Sequence, residues 1–224
     1  SWAGKRSLVT MKHVGLNVAS DSLMTLAYTG IDGGFVLVSA DEPECHSSQN
    51  EQDNRLFARF ANIPCLDPSS PQEARDMTIF AYDLSEKFSI PVILRPTTRV
   101  CHGRGDVELG EINIQKREGK FSKDFSRYVT VPSHARILHK KLLDKMDKIT
   151  DYIEQSNLNY ILSGEGKIGL IVIGVSFNYL MESLQSLNIK PPVLKIGISH
   201  PLPKNTILSF IKELEKVIVI EELE

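Results

Sequence analysis

The chain has 224 residues, of which 42% are hydrophobic, and its formal net charge is -2 with neutral histidines. This length and composition can bury one large core or two small ones. The nearly balanced charge argues against nucleic-acid binding, and no run approaches the roughly 18 consecutive apolar residues of a membrane helix. The 3 cysteines are not spaced as Cys-x-x-Cys, which argues against a disulfide scaffold, a zinc ribbon or an iron–sulfur cluster in this chain. We therefore expect a cytoplasmic protein that binds neither nucleic acid nor membrane.

Strand-like and helix-like runs alternate along the first hundred residues. Short apolar runs predict strands at residues 6–10, 35–40 and 90–95, and residues 63–66 are expected to form a short extended piece. Helices are predicted at residues 20–28, capped by Ser20 or Asp21, and at residues 51–61. A third helix follows Ser69 or Ser70, because Pro71 and Glu73 complete a capping-box pattern there. Strands interleaved with helices favour a mostly parallel sheet with right-handed crossovers.

The second half of the chain begins with a change of composition. Residues 103–123 are rich in glycine and charge, which predicts a linker, with a solvated loop at residues 116–120. A long helix is predicted at residues 134–157, with an apolar face formed by Ile137, Leu138, Leu142, Met146, Ile149 and Ile153. A second α/β unit follows, with strands at residues 169–175, 193–196 and 217–220 and helices at residues 177–187 and 204–214.

Both ends of the chain have the pattern of an internal fragment. The sequence begins without methionine, and Trp2-Ala3-Gly4 is typical of the last helical turn before a glycine stop. It ends directly after a strand-like run, although a parallel strand normally needs a following connection. We therefore expect a longer polypeptide around this chain.

Polar segments follow three of the predicted strands. They span residues 11–17, 41–55 and 96–102, and the second contains ten consecutive polar or charged residues at 46–55. Because the carboxyl ends of parallel strands meet at one edge of a sheet, these segments are expected to lie together. The predicted donors and acceptors at this edge are Lys12, His13, Asn17, Asp41, His46, Ser47, Gln49, Asn50, Arg99 and His102. Such a set suits a polar heterocycle or a carboxylate.

Structural explanations remain open for the same residues. Each segment could equally be a loop followed by a solvated helix end without a binding role, and Asp53 suits a helix N-terminus. Cys45-His46 and Cys101-His102 suggest a metal site, but adjacent residues on one strand edge seldom both bind a tetrahedral metal. A cysteine nucleophile lacks an evident base. No metal site is therefore predicted.

Three motifs, in this order, carry a specific resemblance. They are residues 10–21 (TMKHVGLNVASD), 46–55 (HSSQNEQDNR) and 94–100 (LRPTTRV). Together they resemble the large subunits of indolepyruvate ferredoxin oxidoreductases, which belong to the thiamine-diphosphate-dependent 2-oxoacid:ferredoxin oxidoreductases. The resemblance implies a pyrimidine-binding-type thiamine diphosphate domain at residues 1–115 without its N-terminal part. It further implies a linker and helix at residues 116–160, and a truncated transketolase C-terminal-like domain at residues 161–224.

The resemblance also implies a reaction and roles for the polar residues. The reaction is oxidative decarboxylation of aryl 2-oxoacids to aryl-acetyl-CoA, with electrons passing to ferredoxin. His13 and His46 would handle protons, and Lys12 or Arg99 would neutralise the substrate carboxylate. The remaining polar residues at this edge of the sheet would orient cofactor and substrate; they are Asn17, Asp41, Ser47, Gln49 and Asn50.

Several parts of that enzyme family are not found in this sequence. The glutamate that activates the cofactor's pyrimidine ring is expected before Ser1, and the Gly-Asp-Gly…Asn pattern for magnesium is absent. The cysteine-rich segment is absent too. The resemblance therefore implies that thiamine diphosphate with magnesium binds at sites only partly in this chain, which alone would be inactive. The iron–sulfur clusters and coenzyme A would bind elsewhere in an oligomeric complex. That complex would contain the rest of this subunit, a second (beta) subunit and ferredoxin. The alternatives are a piece of a transketolase-like or 2-oxoacid dehydrogenase subunit, and a non-catalytic α/β binding module.

Overall fold

The structure is a computed structural model that describes residues 1–111 and 118–223. Part of the predicted loop at residues 116–120 lies outside the described residues, as does the predicted boundary between residues 115 and 116. The described residues form two sheets flanked by helices. Within them, no helix is long and apolar enough to cross a membrane.

The first sheet is mostly parallel, as predicted, and its strands β3 and β4 are fully buried. Its strands are β1 (Ser7–Lys12), β2 (Phe35–Ala40), β3 (Cys65–Leu66), β4 (Val92–Leu94) and β8 (Ile198–His200). The strand order is β1-β2-β4-β3-β8, and only β8 runs antiparallel to its neighbour. Short runs of Val, Ile and Leu suit strands that are covered on both faces. The flanking helices are α1 (His13–Val18), α2 (Ser20–Thr29), α3 (Asn54–Ala61), α4 (Pro71–Phe88) and α5 (Thr98–His102).

The second sheet belongs to the C-terminal half of the chain. Its order is β5-β7-β6-β9, and only the β5–β7 pair is antiparallel. The strands are β5 (Tyr160–Leu162), β6 (Ile168–Ile173), β7 (Val193–Ile196) and β9 (Lys216–Ile220). The helices are α6 (Phe125–Tyr128), α7 (Pro132–Ile153), α8 (Ser176–Leu187) and α9 (Lys204–Ile211). Five of the six apolar residues predicted to face the core from α7 are buried, whereas Ile137 is 58% exposed and lines a cavity.

Helix caps show where local patterns succeed and fail. The Ser70 hydroxyl accepts a hydrogen bond from the Glu73 amide at 3.2 Å, and the Glu73 carboxylate accepts one from the Ser69 amide at 2.8 Å. The predicted capping box is therefore confirmed, with its return bond displaced by one residue. The predicted cap at Ser20 or Asp21 is wrong. Helix α1 runs directly into α2 through Ala19, so no extended capping residue precedes α2.

Three short segments differ from their sequence-based assignments. Residues 1–4 form a turn closed by the Gly4 amide on the Ser1 carbonyl (2.9 Å), with Gly4 at a φ of +77°. Two segments predicted as polar loops, residues 11–17 and 96–102, contain the short helices α1 and α5. Strands β5 and β8 were not predicted, because three-residue strands are too short to show a period.

A buried lysine joins the second sheet to helix α4. Lys195 on β7 is completely buried, and its ammonium contacts the Glu73 carboxylate and lies 3.1 Å from the Ser69 hydroxyl. The same ammonium lies 4.7 Å from the centre of the Phe177 ring. Burial alone would raise the pKa of Glu73, but its bonds to Lys195 and Ser69 outweigh burial and hold the pKa below its usual value. The ion pair fixes the second sheet against α4.

Candidate functional site

The three polar segments meet at the carboxyl edge of the first sheet, as predicted. Strands β1, β2 and β4 are adjacent and parallel, so their carboxyl ends point the same way. Asp41 forms a parallel bridge with Thr97, and its amide donates to the Pro96 carbonyl at 3.0 Å. We call this edge the rim, defined as residues 12–17, 41–53 and 96–102.

Lys12 belongs to a compact ion cluster on the rim. Its ammonium lies 2.8 Å from a Glu42 carboxylate oxygen and 3.3 Å from the Ser47 hydroxyl. Glu42 also accepts hydrogen bonds from the Ser47 amide (3.0 Å) and from the Ser48 hydroxyl. The bonds from Lys12 and Ser48 lower the pKa of Glu42 to about 2. The charge of Lys12 is thus neutralised by Glu42, a residue that the sequence analysis missed although it follows a buried strand.

The two predicted proton-handling histidines have different surroundings. His13 is fully buried, and its Nε2 lies 3.2 Å from the Asn50 carbonyl oxygen. A carbonyl only accepts, so Nε2 carries the proton and Nδ1 is the acceptor nitrogen. That Nδ1 is buried and has no hydrogen-bond partner among the described residues. His46 is exposed, with its Nε2 3.8 Å from a Glu44 carboxylate oxygen.

The loop between Glu42 and His46 is strained. Glu44 and Cys45 both have left-handed φ values, +69° and +52°, which side chains other than glycine rarely adopt. The Glu44 amide donates to the Glu51 carboxylate at 2.5 Å, which closes the loop. Such conformations cost on the order of 1–3 kcal/mol each and persist only where surrounding contacts enforce them.

One buried arginine lies beneath the rim and binds three carboxylates. The Arg95 side chain is 3% exposed, and its Nη1 lies 2.7 Å from an Asp67 oxygen. Its Nε contacts Asp41 and lies 3.5 Å from an Asp53 oxygen. Burial raises the pKa of Asp41, and the charge of Arg95 opposes that rise only in part. Burial alone would lower the pKa of Arg95, but the carboxylates, Asp67 and Asp41 first, outweigh it and raise that pKa.

Hydrogen bonds extend this Arg95 cluster across the first sheet, and one ion pair extends it to the second. Asp41 accepts from the Asn54 amide at 3.0 Å, and the Asn54 side chain donates to the Ser39 hydroxyl at 2.7 Å. On the other side, Asp67 accepts from the Ser199 hydroxyl on β8. Asp53 caps the N-terminus of α3, as predicted, and its carboxylate pairs with Arg55. The Arg55 guanidinium in turn contacts the carboxylate of Glu221, which directly follows β9.

The remaining predicted rim residues separate by depth. Asp41 is buried among Arg95 and Asn54, so it supports the rim from below. Asn17, Ser47, Gln49, Asn50 and Arg99 are exposed. Among the described residues, no group of three or more His, Cys, Asp or Glu side chains is arranged to hold a metal ion. His200, the last residue of β8, is partly buried, and burial followed by the charge of Arg59 lowers its pKa to about 4.

Removing the Arg95 charge tests the buried cluster. Arg95→Met removes the cation that pairs with the buried carboxylates of Asp41 and Asp67, whereas Asp53 keeps its pair with Arg55. Breaking a buried ion pair typically costs about 3–5 kcal/mol. We expect the melting temperature to fall by roughly 10 °C, measured by thermal unfolding followed by circular dichroism. Arg99→Met, the matched loss of an exposed arginine four residues later, should change stability by less than about 0.5 kcal/mol. Equal melting temperatures for both variants would show that the cluster is not stabilising.

Acid titration tests the Lys12–Glu42 pair. Because the pKa of Glu42 is lowered to about 2, its contribution to stability is complete above the ordinary pKa near 4.5 and is lost as the pH falls towards 2. Carboxyl carbon NMR of Glu42 should report this low pKa directly. Lys12→Met should raise it towards the ordinary value, whereas Lys148→Met should leave it unchanged. A Glu42 pKa near 4.5 in the unmodified protein contradicts the pairing.

Comparisons with known proteins agree with this geometry. Residues 1–155 match the family model described as pyruvate flavodoxin/ferredoxin oxidoreductase, thiamine diphosphate-binding. The chain is 48% identical over its whole length to "Indolepyruvate oxidoreductase subunit IorA" of Archaeoglobus fulgidus, of which it spans 36%. It is also 48% identical to the protein of the same name from Thermococcus kodakarensis, again spanning 36% of it. The chain thus spans about a third of the length of these curated relatives.

A solved structure shows the same fold. The 2-oxoglutarate:ferredoxin oxidoreductase from Magnetococcus marinus, solved with 2-oxoglutarate, coenzyme A and succinyl-CoA, superposes with a TM-score of 0.67 at 17% identity. The superposition covers 98% of this chain and 46% of the other. The fold class and the resemblance inferred from the three motifs are confirmed. The chain belongs to the family of pyruvate flavodoxin/ferredoxin oxidoreductase thiamine diphosphate-binding domains.

Proposed function

We propose that this chain is part of the thiamine-diphosphate-binding subunit of an indolepyruvate:ferredoxin oxidoreductase. The complete enzyme would decarboxylate aryl 2-oxoacids oxidatively, form aryl-acetyl-CoA and reduce ferredoxin. The names of relatives at 48% identity support the substrate class, and the family model supports the cofactor. The observation that carries the proposal is the gathering of three polar segments into one rim at the carboxyl ends of β1, β2 and β4.

The rim fits the ring portion of thiamine diphosphate. An aminopyrimidine needs both donors and acceptors, and the buried acceptor atoms His13 Nδ1 and Gln52 Oε1 have no partner among the described residues. Asn50 is exposed, and its backbone carbonyl accepts a hydrogen bond from His13 Nε2. His13, Asn50 and Gln52 would hold the ring, and the strained loop at Glu44 and Cys45 would fix the position of the backbone that carries Asn50 and Gln52. When bound, the cofactor supplies a carbanion nucleophile and an electron sink.

The side chains of the rim then take distinct roles. Lys12 is already bound by Glu42 and Ser47, so it would hold the loop in place and not bind the substrate carboxylate. Arg99 is exposed and has no ion pair among the described residues, which leaves its guanidinium available for a 2-oxoacid carboxylate. His13 Nδ1, the acceptor nitrogen, would receive a proton from a bound group. His46 is more exposed and would exchange protons with solvent.

The site is proposed to be composite. We place magnesium, the iron–sulfur clusters and coenzyme A on other parts of the complex, namely the rest of this subunit and the second subunit. The ferredoxin-type family model favours this assignment over a lipoamide-linked dehydrogenase or a transketolase. A non-catalytic binding module would keep the fold and show no turnover in the assembled complex.

Ferredoxin reduction by the purified complex tests the proposal. Indolepyruvate should reduce ferredoxin in the presence of coenzyme A, with a higher kcat/KM than pyruvate or 2-oxoglutarate. Arg99→Met should raise the KM for indolepyruvate by about tenfold, the effect of losing one charge-assisted hydrogen bond. Arg104→Met removes a nearby exposed arginine outside the rim and should leave the KM unchanged. Absence of indolepyruvate-dependent reduction by the intact complex contradicts the proposed function.

A further inference from the structure

A second cluster of charged residues lies at the opposite edge of the first sheet. A cavity of about 350 Å³ is enclosed by α2, α6 and α7, at the end of the sheet where β2 and β4 begin. We call it the basic cavity, and its lining includes Arg127, His134, Lys141 and Lys145. Its apolar wall comes from α7 and contains Ile137, Leu138 and Leu142. This wall explains why Ile137 does not face the main core.

Two cations converge on one point of the basic cavity. The Lys145 ammonium donates to the Ser89 carbonyl at 2.8 Å, and Arg127 Nε donates to the Thr29 carbonyl at 2.7 Å. A Cβ placed on Gly30 would lie 3.3 Å from Lys145 Nζ and 3.9 Å from Arg127 Nη2. The Lys145 ammonium and the Arg127 guanidinium therefore both lie beside Gly30. Burial, Arg127 and Lys141 together lower the pKa of Lys145.

Two nearby carboxylates offset part of this charge. Asp124 caps α6 and accepts bonds from the Ser126 amide and hydroxyl, at 2.9 Å and 2.6 Å. Asp32 is shared by Arg127 Nη1 at 2.7 Å and the Tyr128 hydroxyl at 3.0 Å. Lys141 has no ion pair among the described residues. The three cations Arg127, Lys141 and Lys145 thus face the two carboxylates of Asp124 and Asp32, which leaves a formal excess of one positive charge around the cavity.

Capping of helix ends does not use all the donors in the cavity. Thr29 ends α2 and Ser89 follows α4, so their carbonyls take one donor each from Arg127 and Lys145, and Asp32 takes a second donor from Arg127. An ammonium has three N–H donors and a guanidinium has five. The unused donors, together with Lys141, fit the tetrahedral oxygens of a phosphate group, which multidentate cations bind through short charge-assisted bonds.

We propose that the basic cavity binds a phosphate group. The ligand is either free inorganic phosphate or the phosphate of a monoester whose body contacts the apolar wall formed by α7. The cavity volume of about 350 Å³ admits more than a single phosphate group. This site lies at the amino edge of the sheet, so it is independent of the rim and of the proposed reaction.

Calorimetry with the purified protein distinguishes the two sources of phosphate. Inorganic phosphate and adenosine monophosphate are titrated separately at an ionic strength held constant with sodium chloride, because screening weakens exposed charges. Binding of either ligand supports the site. Tighter binding of inorganic phosphate indicates the free ion, and tighter binding of the monoester indicates a phosphorylated metabolite. No heat from either ligand up to about 10 mM, a range that corresponds to only weak affinity, overturns the proposal.

Matched lysine variants locate the binding. Lys145→Met should weaken phosphate binding by about tenfold through loss of charge-assisted bonds, and Lys141→Gln should weaken it by a smaller factor. Lys140→Met removes an exposed lysine from the same helix and should leave the affinity unchanged. Circular dichroism checks the fold of each variant, and Lys141→Gln, at the exposed end of the cavity, carries the test if Lys145→Met is unfolded. Equal affinity in all folded variants overturns the assignment.

Discussion

The Arg95 guanidinium among three carboxylates is the interaction on which the arrangement of this molecule depends. It holds the end of β2 through Asp41, the start of α3 through Asp53 and the end of β3 through Asp67. Removing four charged groups from water is costly, and the cost is offset only where geometry and further hydrogen bonds are favourable. The cluster therefore selects one arrangement of the strand ends. Through Ser199 the same arrangement extends to β8 of the first sheet, and through Arg55 it reaches Glu221 at the end of β9 in the second sheet.

The rim follows from that buried layer. Asp41 and Asn54 lie underneath, where they bind Arg95 and Ser39, and the exposed polar residues lie above them. The Lys12–Glu42 pair and the Glu44–Glu51 contact close the loop after β2 in a strained conformation. A buried layer that sets the backbone and an outer layer that faces solvent is the arrangement expected of a preorganised binding site. The two lysine clusters elsewhere, at Lys195 and Lys145, are separate from it.

Much of this fold was predictable from apolar runs alone. The strands at Phe35–Ala40 and Val92–Leu94 and the helix Pro71–Phe88 follow from period and capping, and parallel topology then brings the three polar segments together. The partners of Arg95 were not predictable, because Asp41 and Asp67 lie 54 and 28 residues away in the chain. Arg95 itself lies within the third motif, but nothing in that motif distinguishes its structural role from the binding role that the resemblance implies for Arg99. Strand β8 is too short to show a period, and local patterns equally do not reveal its pairing with β3, 134 residues earlier.

Hydrogen exchange in the assembled enzyme complex tests the central claim, that the strand ends form one ligand-facing rim, most directly. The exchange of backbone amides is compared with and without thiamine diphosphate. The account predicts added protection in residues 12–17, 41–53 and 96–102 together, and none in the distant helix Lys204–Ile211. Protection confined to one of the three segments, or found only outside them, would contradict it.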